Sequence, residues 1–307
     1  MRLDIAAQSD IGRRKKSNED CYALVREGAT GLRLFEEGVF VVVADGLGGH
    51  VGGEIASKLA VSNMRDAVKE PAPVPVENAE SDPYFELLRR YMVVANKAVF
   101  QTNQDLVSEG KPMGTTLITG LVSDRRLHIC NVGDSRCYHI RDGEIIGITE
   151  DHSWVDEQVK LGLMSKSEAE MDARKNIVTR SIGTHPDVII DSYLWHIVPG
   201  DWLLFCTDGL VNMVRDADIK GEFLKGGVAA DIAARLVNLA NENGGKDNIT
   251  VVVANVSPSL FRLAYMMGRS FVRAQGLKLL WLLVTLASGL IGFAGGYILR
   301  DAGIILF

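Results

Sequence analysis

Five short segments are apolar with little strict alternation: Val39–Ala44, Leu117–Val122, Leu127–Val132, Trp202–Cys206 and Ile249–Val253. They are rich in β-branched residues and bounded by Gly, Asp or Asn, which predicts buried strands. Elsewhere the period changes. Phe85, Leu88, Met92, Ala95 and Val99 recur at steps of three and four and form one helical stripe. Ile232, Leu236 and Leu239 do the same, and Asn243-Gly244-Gly245 supplies the stop. A third helix is predicted over 53–70 with Ala56, Ala60 and Met64 inward, and Ser165 followed by Glu168 reads as the capping box of a short fourth. The proline-rich, acidic segment 70–83 reads as a surface loop. Strands and helices do not alternate as in a parallel sheet. The pattern favours an α+β fold, with antiparallel sheets and helices packed outside them.

The C-terminal end is different. From Leu279 to Leu299 no residue is charged. At 1.5 Å rise per residue this run spans roughly 30 Å, the thickness of a bilayer core, and predicts one transmembrane helix. A buried core helix is the competing reading, disfavoured because the run lacks every charge. Arg262, Arg269, Arg273 and Lys278 precede it, which places the N-terminal side in the cytoplasm, as a single-pass cell-membrane protein. Ser288, Gly292 and Gly296 form a small-residue face through which two helices could pair as a weak dimer; glycine as ordinary membrane-helix background explains the spacing equally well. The expected organisation is one domain over 1–256, a basic connector over 257–278 lying along anionic lipid, the helix 279–299 and a tail 300–307. Met1-Arg2-Leu3-Asp4 has no apolar signal core.

Hydrophobic residues make up 47% and charged residues 23%, which are globular values. Acids outnumber bases 39 to 33, for a net charge of -6, so no global basic field exists to hold nucleic acid. Cys21, Cys130, Cys137 and Cys206 contain no CxxC pair, which argues against a zinc site or a disulfide framework and for reduced cytosolic thiols.

The informative feature is where the aspartates fall. Val39–Ala44 ends in Asp45-Gly46, Leu127–Val132 in Gly133-Asp134, and Trp202–Cys206 in Thr207-Asp208-Gly209; Asp247-Asn248 precedes Ile249–Val253, and Asn18-Glu19-Asp20 lies near the N-terminus. One Asp-Gly after a strand is a turn. Four such strand ends and an acidic N-terminal element suggest carboxylates sharing one cleft. Like charges at close range raise each other's pKa or demand a cation. Hard oxygen ligands without His or Cys select Mg²⁺ or Mn²⁺. A two-metal carboxylate site generates hydroxide at neutral pH and holds phosphoryl oxygens, so the chemistry is metal-assisted hydrolysis of a phosphate ester.

These residues sit in segments that resemble the metal-dependent serine/threonine protein phosphatases of the PPM, or PP2C-like, family, in its bacterial branch. The segments are SDIGRRKKSNEDCY (9–22), VVADGLGGHVGGEIAS (42–57), MGTTL (113–117), NVGDSRCY (131–138), TEDHSWV (149–155), NIVTRSIG (176–183), LLFCTDGL (203–210) and GGKDNITVVV (244–253). Each is weak alone; eight in the family's order, covering about 1–256, are specific. The resemblance implies an α-β-β-α sandwich of two antiparallel sheets flanked by helices. It implies that Asp45 bridges two Mn²⁺ or Mg²⁺ ions, that the Gly46 carbonyl serves the second, and that Asp208 and Asp247 complete the first. Asp20 with Glu19 would orient water at the metals, Asp134 would bind a third, weaker ion, and 154–185 would form a flap beside the cleft. The implied partners are phosphorylated proteins and a cognate serine/threonine kinase.

Two positions depart from the family pattern. An Arg that clamps the substrate phosphate is replaced by Lys15, within Arg13-Arg14-Lys15-Lys16. Lysine keeps the charge but loses the bidentate fork. Lys15 takes the role as a point charge, with Arg14 the alternative through a local shift. The animal-type His two residues after the metal Asp is Leu47 here, and His50 matches the bacterial His as proton donor or as a structural residue of a Gly-rich turn. His152 reads as structural. The missing Gly-Lys-Ser/Thr pattern argues against a nucleotide loop, and Cys130 and Cys206 in predicted strands, with Cys21 and Cys137 lacking a base partner in sequence, argue against a cysteine phosphatase. The expected activity is hydrolysis of phosphoserine and phosphothreonine. A catalytically weak phosphoprotein-binding scaffold at the membrane and a metal-dependent phosphodiesterase are the competing classes.

Overall fold

A computed structural model describes residues 2–26, 39–48, 51–69, 82–106, 112–123 and 125–257. In chain order they form β1 (Arg2–Asp10), β2 (Cys21–Arg26), β3 (Val39–Ala44), β4 (Gly46–Leu47), α1 (Val51–Lys69), α2 (Pro83–Leu106), β5 (Gly114–Thr115), β6 (Leu117–Ser123), β7 (Arg126–Val132), β8 (Arg136–Arg141) and β9 (Glu144–Ile148). Then follow α3 (Trp154–Lys160), α4 (Lys166–Met171), β10 (Asp191–His196), β11 (Trp202–Cys206), α5 (Asp208–Val211), α6 (Asp216–Leu224), α7 (Ala229–Glu242) and β12 (Ile249–Ser257).

Two five-stranded sheets, ordered β1-β12-β11-β8-β9 and β10-β7-β6-β3-β2, stack with helices outside. Every pairing is antiparallel. This is an α-β-β-α sandwich with three apolar layers. Between the sheets, Val39, Val41 and Val43 of β3 pack with Leu203 and Phe205 of β11 and Val252 and Ala254 of β12. On the other side of β3, Phe40, Val42 and Ala44 meet Ala56, Ala60 and Met64 of α1 and Leu88 and Met92 of α2. Val251 and Val253 of β12 likewise cover Leu236 and Val237 of α7. A strand covered on both faces needs apolar residues at successive positions, which is why these segments show no alternation. Gly120 in β6 leaves room for the Phe205 ring.

The helix predicted over 53–70 starts two residues earlier and ends one residue earlier, and the stripe from Phe85 belongs to a longer helix that Pro83 opens behind Asp82. The Asp82 side chain accepts from Tyr84 N at 3.0 Å. The capping box at α4 is present: Ser165 N donates to Glu168 Oε2 at 2.8 Å and Glu168 N to Ser165 Oγ at 3.3 Å. Ser257, expected in the connector, is the last residue of β12 and pairs with Arg2, because β1 carries the ladder that far. The remaining connector, the span over 279–299, the tail, His50 and most of the loop 70–83 lie outside the described residues. Among the described residues no helix is long and apolar enough to cross a membrane.

Candidate functional site

Each acid sits at or next to the end of a strand. Asp45 follows β3, Asp134 follows β7 in the turn before β8, Asp208 opens α5 directly after β11, Asp247 precedes β12, and Glu19-Asp20 precede β2. Glu19, Asp20 and Asp134 are buried; Asp45, Asp208 and Asp247 are partly buried. The carboxylates repel one another. Burial raises Asp20; hydrogen bonds from Thr250 and Thr207 partly offset this, Asp208 and Asp247 add repulsion, and its pKa is pushed up to about 7. Burial, then Asp20, Asp208 and Asp134, hold Asp45 well above the usual carboxylate range. Burial followed by Asp208 does the same to Asp134, and burial followed by Asp247 raises Asp208.

A hydrogen-bond frame fixes these acids. Asn248, next to Asp247, accepts from Glu19 N at 2.8 Å and donates to the carbonyls of Ile11 and Ser17 at 2.9 Å each. Thr207, next to Asp208, donates to Asp20 Oδ2 at 2.9 Å and accepts from Thr250 N at 3.0 Å. Asp45 N donates to Thr116 Oγ1 at 2.9 Å, and Thr115 Oγ1 donates to the Asp45 carbonyl at 2.8 Å. Gly209 lies against the Asn248 carbonyl so closely that a Cβ would overlap it, which lets the Asp208 and Asp247 segments touch. Gly46 and Gly53 similarly crowd each other and Glu19, bringing the Gly46 carbonyl and the Glu19 carboxylate to the start of α1.

Lys15 reaches into this group and pairs with Asp247 Oδ1 at 2.6 Å. Burial works against its charge, but Asp247, Glu19 and Asp45 outweigh burial and hold the ammonium above its ordinary value. The structure therefore places Lys15 at the cluster, while Arg14 beside it makes no ion pair with an acid among the described residues. His152 is structural, as the sequence suggests. It accepts from Gly133 N at 3.0 Å through Nδ1 and pairs with Asp191 at 3.1 Å through Nε2, which fixes the turn bearing Asp134. Arg136 grips Asp151 with its Nε and Nη2 at 2.8 Å on the other side of that turn.

The donor set suits a hard divalent cation. Burial, then the charges of Asp20, Asp208 and Asp134, disfavour ionisation of Asp45, a repulsion that a proton or a bound cation would relieve. Asp20 Oδ1 and Asp208 Oδ1 are buried with no hydrogen-bond partner. All the candidate ligands are oxygen, which fits Mn²⁺ or Mg²⁺. Among the described residues no three His, Cys, Asp or Glu side chains already close around one point. The acids gather, facing one another, rather than forming a finished cage.

Acids gathered at the ends of two stacked antiparallel sheets suit a metal-dependent phosphohydrolase. The chain belongs to the Protein phosphatase 2C family, whose pattern matches residues 16–252, and is a serine/threonine protein phosphatase. It is 33% identical to protein phosphatase PhpP of Streptococcus pneumoniae over 257 residues, 83% of this chain and 98% of that one. The solved serine/threonine phosphatase of S. agalactiae superimposes with TM-score 0.72 at 32% identity, covering 83% of this chain and all of that one (100%). The catalytic domain of the phosphatase PstP, solved in complex with 2 manganese ions, does so with TM-score 0.68 at 32% identity, over 83% of this chain and 99% of that one. The family uses Mn²⁺ or Mg²⁺.

The acids are legible in the sequence; their supports are not. Thr207, Thr116 and Asn248 make no signal of their own. Thr207 and Asn248 do stand directly beside Asp208 and Asp247, and a hydroxyl or amide flanking a candidate ligand is the clue that was available.

Proposed function

We propose that the enzyme hydrolyses phosphoserine and phosphothreonine in proteins with two Mn²⁺ or Mg²⁺ ions. Asp45, the Gly46 carbonyl, Asp208 and Asp247 hold them, and Asp134 offers a third, weaker site. The observation that carries this reading is the gathering of mutually repelling carboxylates with unpartnered buried oxygens. When bound, such ions supply a nucleophilic water at neutral pH and neutralise phosphoryl charge. The chain's own residues do the rest. Asp20, anchored on one oxygen by Thr207, keeps Oδ1 free to accept from water, with Glu19 beside it. Lys15 steadies the phosphate as a point charge, in competition with Asp247. His50 is the candidate proton donor to the leaving hydroxyl. Attack by water without a phosphoenzyme accords with the thiols: burial pushes Cys130 up to about 11 and raises Cys137 and Cys206.

On this proposal residues 279–299 tether the catalytic domain to the cytoplasmic side of the cell membrane, near a serine/threonine kinase and its products. The uncharged run and the basic residues before it support this. The test uses the full chain in detergent with a phosphothreonine peptide. Turnover that needs Mn²⁺, stops on chelation and falls at least about a thousandfold in Asp208→Asn is expected, since removing such a ligand removes the charge stabilisation. Peptide binding without turnover would establish a scaffold instead. Release of the chain from membranes by alkaline carbonate would refute the tether.

A further inference from the structure

Four consecutive cations, Arg13 to Lys16, stand exposed in a chain of net charge -6. Their loop is held firmly. Gly12 N donates to Asp10 Oδ1 at 2.8 Å, Arg13 N donates to the Gly245 carbonyl at 2.7 Å, and Asn248 grips Ile11 and Ser17 at the two ends. The loop is thus bound to the segment that carries Asp247, and Lys15 turns inward to that acid. Arg13 packs its stem over Gly245, where a Cβ would stand 2.8 Å from its Cγ. Lys246 follows, also exposed. Some surface cations elsewhere have acids, as Lys58 with Glu54, Arg174 with Asp172 and Lys220 with Glu144, while others such as Arg90 and Lys97 have none among the described residues; what sets Arg13, Lys16 and Lys246 apart is their place beside the carboxylate cluster. Among the described residues Arg13, Lys16 and Lys246 have no such carboxylate partner.

Unpaired cations on a pinned loop beside the carboxylate cluster are available to an incoming anion. An extended peptide advances about 3.3–3.6 Å per residue. With a phosphorylated residue at the centre, its neighbours two or three positions away fall within reach of Arg and Lys side chains on this rim. We propose that Arg13, Lys16 and Lys246 are specificity residues that select phosphoproteins carrying Asp, Glu or a second phosphate within about three residues of the phosphate to be removed. The proposal rests on the metal-centre reading above. A flat anionic bilayer on the same loop would cover the cluster that Lys15 touches, so a peptide is the favoured occupant.

The test compares phosphothreonine peptides of equal length with acidic, alanine or lysine flanks, using the full chain with Mn²⁺. The acidic peptide should exceed the alanine peptide about fivefold in kcat/KM at low ionic strength, the range of a few exposed ion pairs. The advantage should shrink in high salt, where exposed charges are screened. The triple variant Arg13→Ala, Lys16→Ala, Lys246→Ala should erase it while leaving the rate on a small aryl phosphate unchanged. Equal rates for the three peptides on the parent, or a preference surviving in the triple variant, would overturn the proposal. So would loss of retention on phosphatidylserine vesicles in the triple variant with peptide preference intact. Failure of all turnover, aryl phosphate included, would refute the metal-centre reading instead; calorimetric binding of the same peptides would still decide the rim, with equal affinities overturning it.

Discussion

Thr207→Val replaces a hydroxyl by a methyl of nearly the same volume, so packing is preserved and only hydrogen bonding is tested. Thr207 is wholly buried and serves two partners. Its hydroxyl donates to Asp20 Oδ2 at 2.9 Å and accepts from Thr250 N at 3.0 Å. The variant leaves the Thr250 N–H buried and unpaired, at about 1–3 kcal/mol, and removes a hydrogen bond to a carboxylate, worth about 1.5–3 kcal/mol. Allowing for partial relaxation, the expected loss of stability is roughly 2–5 kcal/mol. It is read from urea unfolding followed by circular dichroism, with Thr207→Ser as the control that restores both bonds. Thr207 is also one of the groups holding the Asp20 pKa down. Its loss should raise that pKa further and weaken Mn²⁺ binding about tenfold at neutral pH, as expected when a residue orienting metal-site acids is removed. A Thr207→Val chain within about 0.5 kcal/mol of the parent, the spread of ordinary surface changes, would refute this. So would unchanged Mn²⁺ affinity by calorimetry.

Without divalent ions, Asp20, Asp45, Asp134 and Asp208 retain protons that the unfolded chain releases, so the native state binds more protons above the ordinary Asp range. Stability of the chelated chain should therefore fall as pH rises from about 4 through about 7, the value at which Asp20 ionises. Saturating Mn²⁺ should flatten the profile, and a chelated chain equally stable at both ends of that window would contradict the clustering. Lys15→Arg restores a bidentate fork and should lower KM for phosphopeptides several-fold with little change in kcat; steady-state kinetics showing no improvement would remove Lys15 from the phosphate site. Asp201 is fully buried and binds Arg141 at 2.7 and 2.8 Å, His139 at 2.8 Å and Val198 N at 2.8 Å. Asp201→Ala should cost about 3 kcal/mol in urea unfolding by stranding those donors, while Mn²⁺ affinity stays at the parent value.

The strands that declared themselves in the sequence are those sandwiched between a helix layer and the opposite sheet. β3 is apolar at all six positions because both faces are covered. β1, β2, β8, β9 and β10 did not stand out. β8 reads RCYHIR, yet Cys137, Tyr138 and Ile140 are fully buried; its charges are absorbed by Asp151 and Asp201, partners distant in sequence. β9 and β10 are edges and keep polar or half-exposed residues. The same contrast governs the site. An aspartate at the end of an apolar strand is a local pattern, so Asp45, Asp134, Asp208 and Asp247 were legible. The grip of Asn248 on Glu19, Ile11 and Ser17 depends on tertiary approach, which spacing does not encode.

β12 begins two residues after Asp247 and ends at Ser257, in register from Ile249 opposite Asp10 to Ser257 opposite Arg2. Nine residues at about 3.4 Å per residue carry the chain roughly 30 Å. Ser257 and Asp247 therefore stand at opposite ends of β12, with Ser257 beside Arg2. A pull applied at Ser257 would load the β1–β12 ladder before it reached the carboxylate loops.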